Sequence, residues 1–207
     1  MQEERKTHWE QVYRDKSPLE VSWYQSAPTL SRELILASGV DRAAPLIDVG
    51  GGASTLVDHL LADGYSAVSV LDISAQALTH ARRRLGAQAD RVCWIEADIT
   101  QFQPPQVYRL WHDRAVFHFL TATADRAGYR AVLERALAPD GQVIIGTFAP
   151  GGPERCSGLP IVQYDAARMQ AELGEGFSLL EIRTEAHRTP AGKDQLFNFF
   201  RFLKRGA

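Results

Sequence analysis

Several things are scarce in this chain. Two cysteines, Cys93 and Cys156, among 207 residues exclude a disulfide-stapled scaffold and a zinc centre built from cysteine alone. There is no excess of positive charge. Lysine plus arginine number 23 against 25 aspartate plus glutamate, a net charge of −2. That excludes a strongly basic nucleic-acid binder, and no nucleic-acid partner is expected. No apolar run reaches the ~18 residues of a membrane helix, so no membrane partner is expected either. The opening Met1-Gln2-Glu3-Glu4-Arg5 is polar and has no leader-like apolar stretch, which makes a cytoplasmic setting the expectation. Repeats and low-complexity segments are also lacking. What is present is an ordinary globular balance, 45% hydrophobic and 23% charged, on a chain long enough to bury a core unaided. At about 150 residues per domain, the length suits one domain with an addition.

The apolar period switches repeatedly between that of a strand and that of a helix. Residues 7–14 place Trp9, Val12 and Tyr13 on one helical face, and Ser17-Pro18 ends that helix. Pro28 opens a second helix that runs to Ala37 and stops at Gly39. Strands are expected at 46–49, 67–71, 92–95, 107–111 and 142–148, and helices at 54–63, 125–138 and from the Ser74 cap to Gly86. A Gly/Pro-rich loop at 150–160 precedes a short helix at 165–173. Residues 177–185 and 195–203 then read as two strands with no helix between them, hence an antiparallel hairpin. The expected architecture is a Rossmann-like α/β three-layer sandwich of about seven strands, mostly parallel, with that hairpin at the C-terminus. It is read as one domain over 1–207: an N-terminal helical arm (1–44), a ligand-binding core (45–148), and a substrate-side loop, helix and hairpin (149–207).

The strand at 46–49 runs into Gly50-Gly51-Gly52 and then a helix. Glycines let the backbone turn tightly and approach a ligand closely. Asp72 closes the second strand twenty residues beyond Gly52, where an acid takes ribose hydroxyls. A dinucleotide fingerprint would need a third glycine where Thr55 stands. Asp48 would also repel a pyrophosphate. A ligand with an ammonium group and no phosphate suits Asp48 better, and S-adenosylmethionine is such a ligand.

Leu46-Ile47-Asp48-Val49-Gly50-Gly51-Gly52-Ala53-Ser54 resembles the first motif of class I S-adenosylmethionine-dependent methyltransferases. Leu71-Asp72-Ile73-Ser74 is similar to their second motif, Glu96-Ala97-Asp98-Ile99 to their third, and Pro139-Asp140-Gly141-Gln142 to the turn before their fifth strand. The order and spacing hold from about residue 44 to 148. The resemblance implies S-adenosylmethionine as cofactor. Asp48 and the glycine turn would hold its methionine end, Asp72 its ribose, Asp98 its adenine amine and Ile99 the adenine ring, with Ile73 a further cofactor-binding candidate. Gly51 departs from the family, which has a small residue or cysteine there, and is expected to be tolerated with some added loop flexibility. No metal site is expected.

The methyl acceptor should lie beyond Trp111-His112-Asp113-Arg114 and Ala115-Val116-Phe117-His118. His112 and His118 are candidate bases, each balanced against a packed, hydrogen-bonded histidine. Asp113 is the third candidate catalytic group, balanced against a structural ion pair with Arg114. The stretch from Asp113 to Phe117 resembles, more loosely, the thiopurine-type small-molecule branch. Trp23 and Tyr24 could close over the cofactor, where an aromatic face attracts a sulfonium, or merely anchor the arm. The loop His187 to Lys193 is expected in solvent, Arg82-Arg83-Arg84 on a solvated helix face, and Cys93 buried in its strand. A small-molecule acceptor is favoured. A protein-lysine acceptor, a non-catalytic protein and a dinucleotide-binding protein stay open.

Overall fold

A computed structural model describes residues 2–206. Helices α1 (Gln2–Asp15) and α2 (Thr29–Ala37) precede strand β1 (Leu46–Val49). There follow α3 (Leu56–Ala62), β2 (Val68–Asp72), α4 (Ala75–Leu85), β3 (Val92–Glu96) and β4 (Tyr108–Arg114). Next come α5 (Thr123–Ala136), β5 (Leu137–Phe148), the two-residue strands β6 (Arg155–Cys156) and β7 (Leu159–Pro160), and α6 (Ala166–Leu173). The chain closes on β8 (Phe177–Arg188) and β9 (Asp194–Lys204). The seven-stranded sheet has the order β3-β2-β1-β4-β5-β9-β8. Strands β1 to β5 are mutually parallel, and β9 runs antiparallel to both β5 and β8. This is the Rossmann-like α/β sheet with a reversed C-terminal hairpin that the sequence pattern implies.

Alternation along the central strands builds two cores. Leu46 of β1 and Leu110 of β4 pack with α2 and α3, through Leu34, Leu56 and Leu60. Ile47, Val49 and Trp111 face the other way, against Tyr129, Val132 and Leu133 of α5. The same alternation aims the polar residues. Asp48 and His112 are direct neighbours across β1 and β4 and share the α2 side, whereas Asp113 shares the α5 side. A ligand site is expected between β1 and β4, where the strand order reverses.

Three details depart from the sequence reading. Strand β5 starts at Leu137, and Pro139-Asp140-Gly141 is an outlooped bulge within it: Tyr108 pairs with Leu137, then Leu110 pairs with Gln142. Asp140 takes a left-handed φ of 58° there. Cys93 is exposed, on β3, the outermost strand of the sheet. Cys156, in the loop after β5, is the buried thiol, and burial pushes its pKa up. A thiol-reactive disulfide reagent should therefore titrate one cysteine of the native protein rapidly, and the second only after denaturation. Finally, His187 and Thr189 are buried rather than solvated. The His187 ring nitrogen Nε2 hydrogen-bonds the Ser22 carbonyl at 2.7 Å, which fastens the hairpin to the N-terminal arm.

Candidate active site

The glycine turn sits at the carboxyl end of β1. Gly50 takes a left-handed φ of 69°, and its N–H and that of Gly51 donate to the Leu71 carbonyl at 2.7 and 3.3 Å. A Cβ on Gly51 would overlap the Asp48 carboxylate, and one on Gly52 would overlap that of Asp72. The glycines thus bring the turn against two carboxylates. Gly51 is demanded by this packing, not merely tolerated.

Asp48 is 2% exposed. Its Oδ1 lies 2.7 Å from His112 Nδ1, and His112 Nε2 lies 2.9 Å from the Ser31 hydroxyl. The other carboxylate oxygen, Oδ2, is buried and has no hydrogen-bond partner. On the neighbouring strand β2, Asp72 Oδ1 accepts the Ser74 N–H at 2.9 Å and so helps cap α4. Burial pushes the Asp72 carboxyl up to about 7. The Asp48 charge adds to the rise, and backbone N–H groups of Ser74, Gly52 and Ile73 oppose it. Asp98, after β3, accepts from the Thr100 N–H and hydroxyl at 2.9 and 2.8 Å. Among the described residues, no group of acids, histidines and cysteines has the arrangement of a metal site.

Helix α1 roofs this region. Arg5 pairs with Asp98 at 3.0 Å and with Asp125 at 3.1 Å, and Lys6 pairs with Glu96. Glu10 accepts the Ala75 N–H at 2.6 Å, at the positive end of α4. Trp9 packs edge-on against Phe119 and Trp23, and Trp23 Nε1 donates to the Tyr13 hydroxyl at 3.2 Å. Under the roof runs a cavity whose empty space, counted with its open mouth, is about 860 Å³. Gly50, Asp72, Ile73, Asp98 and Ile99 line one end. Trp23, Arg114, His118, Phe148, Cys156 and Phe197 line the other.

The structure separates the three catalytic candidates. His118 faces the cavity. It stacks on Phe148 with ring centroids 4.7 Å apart, its Nδ1 accepts the Phe148 N–H at 3.4 Å, and its Nε2 is buried without a partner. Burial, aided by the nearby Arg114 charge, pushes its pKa down to about 3, so the ring is neutral at physiological pH. His112 has both ring nitrogens occupied by Asp48 and Ser31 and does not line this cavity. It holds Asp48 in place. Asp113 lies on the opposite face. It accepts the Val116 N–H at 2.9 Å and the Tyr129 hydroxyl at 2.8 Å, and burial pushes its carboxyl up to about 6. It caps the turn after β4 and does not pair with Arg114, because adjacent strand residues point to opposite faces.

The Tyr129 hydroxyl also accepts from Trp111 Nε1 at 2.8 Å. Tyr129→Phe leaves a buried carboxylate oxygen and a buried indole N–H unpaired. It should cost about 2–4 kcal/mol, read as a lower urea midpoint at unchanged slope.

Sequence reasoning missed Arg5, Tyr13, Ser31 and Phe197. Their placement depends on how α1, α2 and β9 cross the sheet ends. The Asp48–His112 contact did leave a trace: residues in register on neighbouring parallel strands share a face.

A methyltransferase-domain family model matches residues 47–143, from β1 into β5. The match supports the resemblance to class I S-adenosylmethionine-dependent methyltransferases. The chain is 26% identical over 122 residues to nodulation protein S of Rhizobium tropici, a match covering 59% of the chain. The matched region spans about half (50%) of that curated relative's length. The fold is similar to that of an N-methyltransferase, NodS of Bradyrhizobium japonicum WM9, solved with S-adenosyl-L-homocysteine. That likeness has a TM-score of 0.72 at 18% identity and covers 95% of this chain and 98% of that one. It is also similar to a structure from work on the conversion of a disulfide bond into a thioacetal group during echinomycin biosynthesis. There the TM-score is 0.80 at 20% identity, with 97% and 92% of the two chains covered.

Proposed function

We propose that the protein binds S-adenosylmethionine and transfers its methyl group, by in-line displacement, to a small-molecule acceptor held in the far end of the roofed cavity. The observation that carries this reading is the single cavity itself, which joins the Asp72 and Asp98 carboxylates to a chamber lined by histidine, arginine and phenylalanine.

The residues at the first end fit the cofactor. Asp48 lines an adjoining pocket that shares Gly50, Trp23 and Arg114 with this cavity, and its Oδ2 is a buried carboxylate oxygen with no partner, suited to the ammonium of the methionine end. Asp72 is placed to accept ribose hydroxyls and Asp98 the adenine amine, with Ile73 and Ile99 as apolar walls. The bound cofactor would supply an electrophilic methyl group on a sulfonium. The chain's own contribution is then position and dryness: the glycine turn fixes one reactant, α1 and Trp23 exclude water, and proximity supplies most of the rate. In this reading His112 is a positioning residue for Asp48, and Asp113 belongs to the scaffold. His118, whose Nδ1 is taken by the Phe148 N–H, offers its Nε2–H as a hydrogen-bond donor to the acceptor. A ring that protonates only near pH 3 is a weak base. The acceptor atom is therefore one that needs little base, a thiol or a neutral amine.

The roof over the chamber supports a small acceptor over a protein side chain presented from a surface groove. Protein incubated with methyl-tritiated S-adenosylmethionine and a desalted cell extract supplemented with extracted small molecules tests the choice. Label should appear in the solvent-extractable fraction. Label confined to a protein band would overturn the small-molecule reading.

A further inference from the structure

Arg114 is the one charged side chain of the far chamber whose place the proposed chemistry leaves unused. It ends β4, lines the cavity and has a side-chain exposure of 10%. Its Nη1 donates to the Trp23 carbonyl at 2.8 Å. Its Nε and Nη2 are both buried and make no hydrogen bond. Glu185 Oε2 is 3.7 Å from Nη2, near enough to balance the charge but too far to fill the donor. Glu185 itself is held by Gln25, which donates to its Oε1 at 3.0 Å.

Nε and Nη2 are the two donors along one edge of a guanidinium. Their parallel N–H bonds match the two oxygens of a planar carboxylate. Aromatic rings pack around the same guanidinium. Phe197 lies 4.9 Å from the Arg114 guanidinium carbon, Phe148 lies 4.6 Å from Phe197, and His118 stacks on Phe148. Donors this deep are costly to leave unmade, and the rings make the surroundings of the fork apolar. We infer that Arg114 is the specificity residue for the methyl acceptor: its free edge binds a carboxylate carried by an acceptor whose apolar body lies in the chamber lined by Phe197, Phe148 and His118. This rests on the functional reading above and adds the chemical class of the substrate. Burial lowers the Arg114 pKa to about 10, so the fork is charged at neutral pH.

The test is a pair of isosteric probes, benzoate and benzamide, titrated by calorimetry into protein saturated with S-adenosylhomocysteine. Benzoate should bind at least tenfold more tightly than benzamide. Arg114→Gln should bring the ratio to near one while changing S-adenosylhomocysteine affinity less than threefold. Arg114→Lys, which keeps the charge without the fork, should retain only part of the preference. Equal binding of the two probes to wild type would overturn the inference whether or not the variants fold. So would a tenfold or greater loss of S-adenosylhomocysteine affinity in Arg114→Gln with the benzoate preference intact, which would assign the guanidinium to the cofactor's own carboxylate. Failure of wild type to bind S-adenosylhomocysteine at all would instead strike the functional reading, and the probe pair in ligand-free protein would still report on the fork.

Discussion

Asp72→Asn is expected to unfold at a higher temperature than wild type at pH 8, yet to bind S-adenosylhomocysteine about 10–100-fold more weakly, the loss that goes with ~1.5–3 kcal/mol of hydrogen bonds to a charged group. Both effects come from one buried carboxylate. Its pKa is about 7 in the folded protein against a reference value of 3.8. Between those values the folded state keeps a proton that the unfolded chain has released. Stability therefore falls as pH rises from about 4 to about 7, and the loss is complete above 7. At 1.36 kcal/mol per unit, the cost is on the order of a few kcal/mol. Asparagine removes it while its carbonyl can still accept the Ser74 N–H. The midpoint should rise by roughly 5 °C or more at pH 8, and the advantage should vanish near pH 4. Wild-type affinity should climb with pH through about 7, because ribose hydroxyls donate best to the anion. The variant's affinity should be flat across that range. Scanning fluorimetry and calorimetry across the pH series check both. Equal affinity in the two proteins would remove Asp72 from the site.

Gly51→Ala is expected to lose S-adenosylhomocysteine affinity by tenfold or more, with a stability cost of about 1–3 kcal/mol. The added methyl group would overlap Asp48 Oδ2 and also crowd Val70. The carboxylate cannot simply swing away, because Oδ1 is tied to His112 and His112 to Ser31. The methyl thus occupies the place proposed for the ammonium group. Asp48→Asn should weaken binding through the same oxygen without the steric cost. The double variant should then be scarcely weaker than Gly51→Ala alone, since both changes remove one interaction. Additive losses would show that Gly51 acts elsewhere, for instance through the turn backbone.

Much of the fold was legible because strands and helices alternate with sharp punctuation: Ser74 caps α4, Gly86 ends it, and the glycine turn follows four apolar-period residues. That Asp72 and Asp98 line one cavity was legible for the same reason, since Asp72 ends β2 and Asp98 follows β3, and a parallel sheet aligns those strand ends. The acceptor side was less so. His112, Asp113, Arg114 and His118 are crowded into seven residues of sequence, yet alternation along β4 sends Asp113 to α5 and its two neighbours to the α2 side. Only His118 and Arg114 of the four line the main cavity. Nothing local separates a histidine that holds a carboxylate from one that faces a chamber; that depends on which strand lies alongside. The burial of His187 and the exposure of Cys93 were missed on similar grounds, since one depends on the N-terminal arm and the other on β3 being an edge.

The most direct test of the account is a calorimetric titration of the purified protein with S-adenosylhomocysteine and, separately, with NADH. Saturable binding of S-adenosylhomocysteine at one site per chain, weakened in both Asp72→Asn and Asp48→Asn, with no heat from NADH, is the predicted result. Binding of NADH with no response to S-adenosylhomocysteine would contradict it.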